Sequence, residues 1–536
     1  MKRSWIRRSL ILVPGCLATS GAWARGQADS GKAVAVSSEP LTLWITFEAG
    51  KAGASMKSYN EMKMLPLVEK ETGVKLQFVH PAAGNQDEQL NLMLASGELP
   101  DMIHWGWKNF PGGPAKAIQD KFILSLNALI DKNSPSMKKL IGDYPELSRM
   151  VRTDDGTIYL YPFVSLDMRK NPQIPAFQTF GWCIRQDWLQ KLGFSLPETM
   201  DQWTGILRAF KREDPNGNGK ADEIPFVGIG NGDLSNWIRA WGVNNGFYRE
   251  DDVKNVVKYG YATPEYKEAV TVLARWYEEG LIDPDYAATD GKQKDSKITN
   301  NLAGSWVGAT SGNFGRYVQL MKSKDPTVKL TGLVPPCAKG GKPWKFDDWS
   351  MFPITSGTAI TTKCKKPDAA ARFLDFFYSA KGHMLSNWGI EGESYVVENG
   401  QPRFTDLIRK NPDGLSIDQA LIRYNWAAAE GPNLQPAELW LERMSLPEQR
   451  EMLPRWGTGD RTRILPPVTP TPQEAAEFSA VMAEVQTYSN EMFTKFVMGV
   501  EPISGFDSYM RRLESLGIRR ALEMRQKQLD RYLARK

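Results

Sequence analysis

Apolar and polar positions along the chain separate into short runs and longer stripes. Leu41-Thr42-Leu43-Trp44-Ile45-Thr46-Phe47 is an apolar, β-branched run that predicts a strand; an amphipathic helix over 57–71, stopped by Gly73, and a second strand over 74–80 follow. Leu90-Asn91-Leu92-Met93-Leu94-Ala95-Ser96 predicts a helix closed by Gly97 that leads into a buried strand at Met102-Ile103. Strand, helix and strand at this spacing indicate a parallel α/β sheet. Tyr266, Val270, Leu273 and Tyr277 share one helical face, with Thr263 as N-cap, Pro264 in the first turn and Gly280 as the stop. Ala370, Phe373, Leu374 and Phe377 repeat that stripe after Pro367, while Ile518, Leu522, Leu529 and Tyr532 give the last helix a buried face. A packed face of this kind makes the basic carboxyl end part of the fold and not a nucleic-acid arm.

A chain of 536 residues is too long for one core and implies about two to four domains or lobes. Its 18 tryptophans exceed what core building requires, which raises the prospect of exposed aromatic platforms. The formal charge of +5 includes Lys2, Arg3, Arg7 and Arg8 of the first 24 residues, whose removal leaves +1, so nothing points to nucleic acid. Those basic residues, the short apolar run at 9–17 and Ala22-Trp23-Ala24 read as a secretory signal over 1–24; lipid attachment at Cys16 is the alternative processing. The compartment is then extracytoplasmic, yet Cys183, Cys337 and Cys364 are an odd, sparse set that makes no disulfide framework. Residues 25–40 are a flexible lead-in.

Asp214-Pro215-Asn216-Gly217-Asn218-Gly219-Lys220-Ala221-Asp222-Glu223 carries the pattern of a calcium loop. Oxygen side chains recur at positions 1, 3, 5 and 9, glycine stands at position 6 and a backbone carbonyl is offered from position 7. Asp214, Asn216, Asn218, Asp222 and the Lys220 carbonyl take those roles. Pro225 replaces the usual closing glutamate, leaving Glu223 to complete the shell. The alternative is a polar turn, which Asp-Pro and Asn-Gly favour by themselves. No helix pattern follows Glu223, so the ion would be a structural staple and not a switch.

The segment Leu92-Met93-Leu94-Ala95-Ser96-Gly97-Glu98-Leu99-Pro100-Asp101-Met102-Ile103 resembles the family 1 extracellular solute-binding proteins, the sugar receptors of ABC importers. Asp155-Gly156-Thr157-Ile158-Tyr159 through Pro162, the block 184–193 with Pro197 and Trp203, and 266–284 resemble it too, as do 367–379, 389–395 and 528–532, all in family order. The calcium loop is similar to that of members binding oligosaccharides such as alginate fragments. The resemblance implies a two-lobed α/β periplasmic-binding fold, type II-like, with mostly parallel sheets joined by crossing segments. The expected lobes are 41–165 with 350–400, and 166–349 with 401–536. It also implies a monomeric receptor that closes on a carbohydrate and delivers it to an ABC permease.

Ligand in such sheets lies beyond the carboxyl ends of the strands, and a sugar needs flat aromatic faces with a few fixed polar groups. Trp105 and Trp107, flanking Gly106 just after Met102-Ile103, are the first candidates for a stacking platform. Trp237 and Trp241 follow the expected strand at 226–229, Trp349 with Asp347 and Asp348 precedes the one at 354–361, and Glu393 and Tyr395 sit in the 389–395 block. Trp188 and Trp203 are assigned to core. With only His80, His104 and His383 there is no metal-spaced histidine cluster, and neither a nucleophile elbow nor a phosphate loop occurs. An extracytoplasmic glycoside hydrolase or lyase, which needs only two carboxylates, and a two-lobed receptor for a peptide remain the rival readings.

Overall fold

The computed structural model describes residues 39–82, 85–165, 180–338, 340–346, 356–426, 431–444 and 446–535. The leader and Trp349 lie outside them. Strand β1 (Leu41–Trp44) runs parallel to β2 (Leu76–Val79) on one side and to β3 (Met102–Trp105) on the other. Beyond β3 the sheet continues through β11 (Gly357–Ile360), antiparallel to both β3 and β4 (Tyr161–Ser165), and ends at β14 (Asn433–Gln435), parallel to β4. A second sheet has the order β10 (Leu330–Gly332), β5 (Phe180–Arg185), β9 (Ala303–Ala309) and β6 (Ile224–Val227), with β5 antiparallel to both neighbours and β9 parallel to β6. Each sheet therefore runs one way apart from a single reversed strand.

The reversals follow from how the chain crosses. β4 ends at Ser165 and β5 begins at Phe180, whose partner is Ala309, the last residue of β9. β11 begins at Gly357, opposite Trp105, the last residue of β3. A chain that leaves one sheet at its carboxyl edge and enters the next at the matching edge must run backwards through it. Both crossings thus join carboxyl edges, the place where ligands collect in open α/β sheets.

The two largest cores lie on the two sheets, and a smaller one with Cys183, Val227, Trp306 and Leu330 also packs on the second. The first gathers Leu43, Ile103, Val164, Phe373, Phe377 and Trp426; the second gathers Trp203, Trp237, Tyr266, Leu273, Trp276 and Phe496. The helix Met200–Arg212 is closed by a capping box between Thr199 and Gln202 and buries Trp203, Ile206, Leu207 and Phe210. Thr263 caps the helix Pro264–Glu278, as the sequence pattern requires. The helix expected over 57–71 is divided: a short 3-10 turn at Tyr59–Glu61 precedes the helix Leu65–Thr72, because Pro66 is tolerated only in a first turn. The stretch 401–536 does not lie wholly with the second sheet. β14 and Trp426 belong with the first, while the helices Pro472–Val497 and Ile518–Ala534 pack on the second core.

Two hairpins complete the strands, β7 (Phe247–Arg249) with β8 (Val257–Tyr259), and β12 (Tyr395–Glu398) with β13 (Gln401–Phe404). The helix Ile518–Ala534 also reaches across to the first lobe. Ile518, Ala521 and Met524 root it in the second core, whereas at its far end Arg531 Nε lies 2.7 Å and Arg535 Nε 2.9 Å from the Asp154 carboxylate. Tyr532 OH donates to Glu146, and Arg535 donates to the carbonyls of Arg149 and Arg152.

Candidate functional site

A cleft of about 460 Å³ opens at the carboxyl edge of the second sheet. Phe180 enters it from the first position of β5, Ile229 from just past β6, and Asn313 from beyond β9. Its polar groups are held in place by one another. Lys294 Nζ lies 2.5 Å from Asp233 and donates to the Val307 carbonyl at 2.7 Å, both side chains being largely buried. Asn313 donates to Tyr317 OH, which in turn donates to Asp295, itself paired with Arg316. Burial, then the Asp295 carboxylate, pushes the Tyr317 hydroxyl above its ordinary pKa, so it stays a donor. Asp290 caps the helix Gly291–Thr299 through a box with Gln293. The result is an aromatic ring beside fixed donors and acceptors, chemistry suited to a hydroxyl-bearing ring. Asp233, Asp290 and Asp295 are each committed to neighbouring donors.

The tryptophans divide sharply. Trp105 is half-buried at the carboxyl end of β3, with its Nε1 3.2 Å from Asp87. Trp107 is fully buried, donates to the Ile103 carbonyl and packs on Phe110, so it offers no face to a ligand. The two indoles meet edge to face at 5.7 Å and 90°. They do not form a shared platform because β3 ends at Trp105 and a 3-10 turn begins at Trp107, which breaks the alternation of an extended segment. Trp237 is core as well, surrounded by Trp203, Trp276, Phe226 and Trp182. Trp241 is half-buried against the same core. Tyr395 is buried with Trp388 and Phe404 in a small cluster at the β12–β13 hairpin, and neighbouring Glu393 is exposed, 3.3 Å from Lys63. Trp188 and Trp203 are core, as expected.

The Asp214–Glu223 loop connects the helix Met200–Arg212 to β6, so a strand and not a second helix follows it. Asp214 takes φ +46°, with Gly217 and Gly219 also left-handed, winding the loop tightly. Asp214 accepts from the backbone of Asn218 and Gly219, and Asn216 accepts from Asn218. Asn218 Oδ1 accepts from Lys220, while the Asn218 and Asn216 amides donate to Asp222 and hold its carboxyl below the usual range. Glu223 is buried, and its Oε1 has no hydrogen-bond partner. Burial, with the charges of Asp214 and Asp222 adding to it, raises the Glu223 pKa. An orphaned carboxylate oxygen beside two further carboxylates and a set of amide and carbonyl oxygens fits a hard cation. Among the described residues no group of three or more His, Cys, Asp or Glu is gathered tightly enough to hold an ion by such side chains alone.

Sequence reasoning did not find Phe180, the Lys294–Asp233 pair, Asn313 or Tyr317. Only Asp290, three positions before Gln293, carried a readable signal, that of a capping box. The rest are joined by sheet topology, which no local pattern encodes.

The model of the bacterial extracellular solute-binding protein family matches residues 53–384. The fructooligosaccharide ABC transporter substrate-binding protein FusA of Streptococcus pneumoniae serotype 4 is 25% identical, the match covering 92% of this chain and 91% of FusA. The crystal structure of the alginate-binding protein AlgQ2 without calcium ion is 27% identical with a TM-score of 0.73, covering 93% of this chain and all of that one. An EF-hand mutant of S. pneumoniae FusA in complex with fructo-nystose superposes at a TM-score of 0.72 with 23% identity, over 93% of this chain and all of that one.

Proposed function

Since the chain belongs to the bacterial extracellular solute-binding proteins, we propose that it holds an oligosaccharide between two lobes and delivers it to an ABC permease. Members of this family bind solutes and do not transform them. The observation that carries the sugar reading is the cleft at the carboxyl edge of the second sheet, where Phe180 stands beside the fixed groups of Lys294, Asn313 and Tyr317. FusA and AlgQ2, named for a fructooligosaccharide and for alginate, support the same class. Lobe closure on the ligand is the signal that the permease reads. In this reading the first lobe is built on the sheet β14-β4-β11-β3-β1-β2, and the second on the sheet β10-β5-β9-β6 with the helices from Pro472 onward.

An oligosaccharide panel tests this reading. A matching sugar should raise the melting temperature of the purified protein and leave with its mass unchanged, and scattering should show a more compact particle. A cleaved product would establish an enzyme, and a saturated complex of unchanged radius would remove the closure mechanism. Trp105, at the facing edge of the first sheet, should contribute on the order of 1 kcal/mol by stacking. Trp105→Ala is therefore expected to weaken sugar binding several-fold at little cost in stability, whereas Trp107→Ala should act through stability. Equal affinity in wild type and Trp105→Ala would remove Trp105 from the site.

Calcium belongs to the same proposal. Asp214, Asn216, Asn218, Asp222, Glu223 and the Lys220 carbonyl would hold it, and the ion would supply a hard cross-link between the helix Met200–Arg212 and β6. Lys191 already anchors this loop through the carbonyls of Asp214 and Pro215. The leader would export the chain, as a monomer, to the extracytoplasmic space, with cleavage after Ala24 or a lipid on Cys16 distinguished by the mass of the mature amino terminus. Among the described residues no helix is long and apolar enough to cross a membrane.

A further inference from the structure

A second cavity, of about 600 Å³, lies between the two lobes and has walls unlike those of the first. Phe110 and Lys108, just past β3, line it together with Phe247, Pro467, Phe478 and Arg525. Its volume falls within the range of about 300–1,000 Å³ usual for small-molecule sites. The two basic side chains stand out. Arg525 lies with its guanidinium 4.8 Å from the Phe247 ring and 4.3 Å from the Phe478 ring, donates one hydrogen bond to Gln528, and keeps a buried Nε without a partner. Lys108 is half-buried, and no carboxylate among the described residues pairs with it or with Arg525. Burial alone pushes the Lys108 amine down and the Arg525 guanidinium down to about 10. Cations in apolar surroundings are costly unless an anion joins them. A freely hydrated small anion gains nothing from aromatic walls, whereas a carboxylate carried on a ring uses both parts of the pocket.

We infer that this cavity is a subsite for the carboxylate-bearing ring of an acidic saccharide, with Lys108 and Arg525 gripping the carboxylate and Phe247 and Phe478 flanking the grip. The inference rests on the receptor reading and narrows its ligand class. The pocket adjoins the carboxyl edge of the first sheet, three residues past Trp105 in sequence, so one extended ligand could run from Trp105 into it. Asp347 and Asp348, which follow Phe346 on the pocket wall, lie outside the described residues, and neutralisation of the cations by these acids is the rival account.

The test measures binding to the full chain by calorimetry and thermal shift. The probes are oligomers of galacturonate, glucuronate, mannuronate and guluronate, the neutral galactose, glucose and mannose oligomers of equal length, and inorganic phosphate. At least one uronate oligomer should bind at least tenfold more tightly than its neutral counterpart and weaken steeply with added salt. Lys108→Met should remove about tenfold of that affinity, and Arg525→Met should do the same in whatever fraction folds; in both variants the gap between the uronate oligomer and its neutral counterpart should shrink by that factor. Neutral oligomers binding while every uronate fails would overturn the acidic class and leave the receptor reading standing. Phosphate alone binding would overturn the saccharide assignment. Uronate affinity unchanged in Lys108→Met would place the carboxylate elsewhere, and uronate binding gained only in Asp347→Asn with Asp348→Asn would establish the rival account. No saccharide binding at all would overturn both readings together.

Discussion

Trp237→Ala is expected to lower stability by about 3–5 kcal/mol, the cost of emptying a fully buried indole site. Trp237 is the hub of the second core: its ring meets Trp203 at 4.9 Å, Trp276 at 4.9 Å and Phe226 at 5.2 Å, all near edge-to-face. Because its Nε1 has no partner, the loss would come from packing and not from a broken hydrogen bond. Urea unfolding should give a midpoint well below wild type, with Trp237→Phe between the two. Sugar affinity of the folded fraction should be unchanged. A cost below about 1 kcal/mol would mean that the neighbouring rings collapse into the space.

Calcium withdrawal should give the second large effect. At one hundred times its dissociation constant an ion bound only by the folded state adds about 2.7 kcal/mol. Chelator should therefore lower the melting temperature of wild type and leave Asp214→Ala with Asp222→Ala unaffected, since the double variant has lost two of the loop's carboxylates. The same chelator response in both proteins would exclude the loop as the site. The expected gain rests on Glu223: without an ion one oxygen of its buried carboxylate has no hydrogen-bond partner and its pKa is raised, so a cation relieves a penalty already present in the fold.

Local chemistry was readable where one segment contains the whole signal. Thr263-Pro264 with Gly280 bounded a helix, Gly97 closed another at φ +71°, and the spacing of Asp214 to Glu223 described a tightly wound loop before a strand. Asn399-Gly400, at φ +52° and +76°, makes the tight turn between β12 and β13, a dipeptide signal that the reading of Glu393 and Tyr395 as ligand residues passed over. The aromatic platform was legible only in part. Trp105 and Trp107 look alike in sequence, and their fates differ because the strand stops between them, a tertiary event. Trp237 could not be told from a ligand-facing tryptophan without knowing that Trp203 and Trp276, on two other helices, converge on it. The cleft residues Phe180 and Asn313 come together only because β5 runs backwards beside β9.

The grip of Arg531 and Arg535 on Asp154 constrains how the two halves can move. Those ion pairs join a helix rooted in one core to a loop packed on the other, and several hydrogen bonds tie the same spot. A sliding motion would tear them all, whereas a rotation whose axis passes near Asp154 would leave them intact. Asp154 then acts as a fulcrum: displacement is small beside it and grows in proportion to distance, so the rims farthest from it travel most. Asp154→Ala would remove both ion pairs but leave the Tyr532–Glu146 contact and the Arg535 bonds to the Arg149 and Arg152 carbonyls, so it would loosen the fulcrum and add open geometries that any ligand must first exclude.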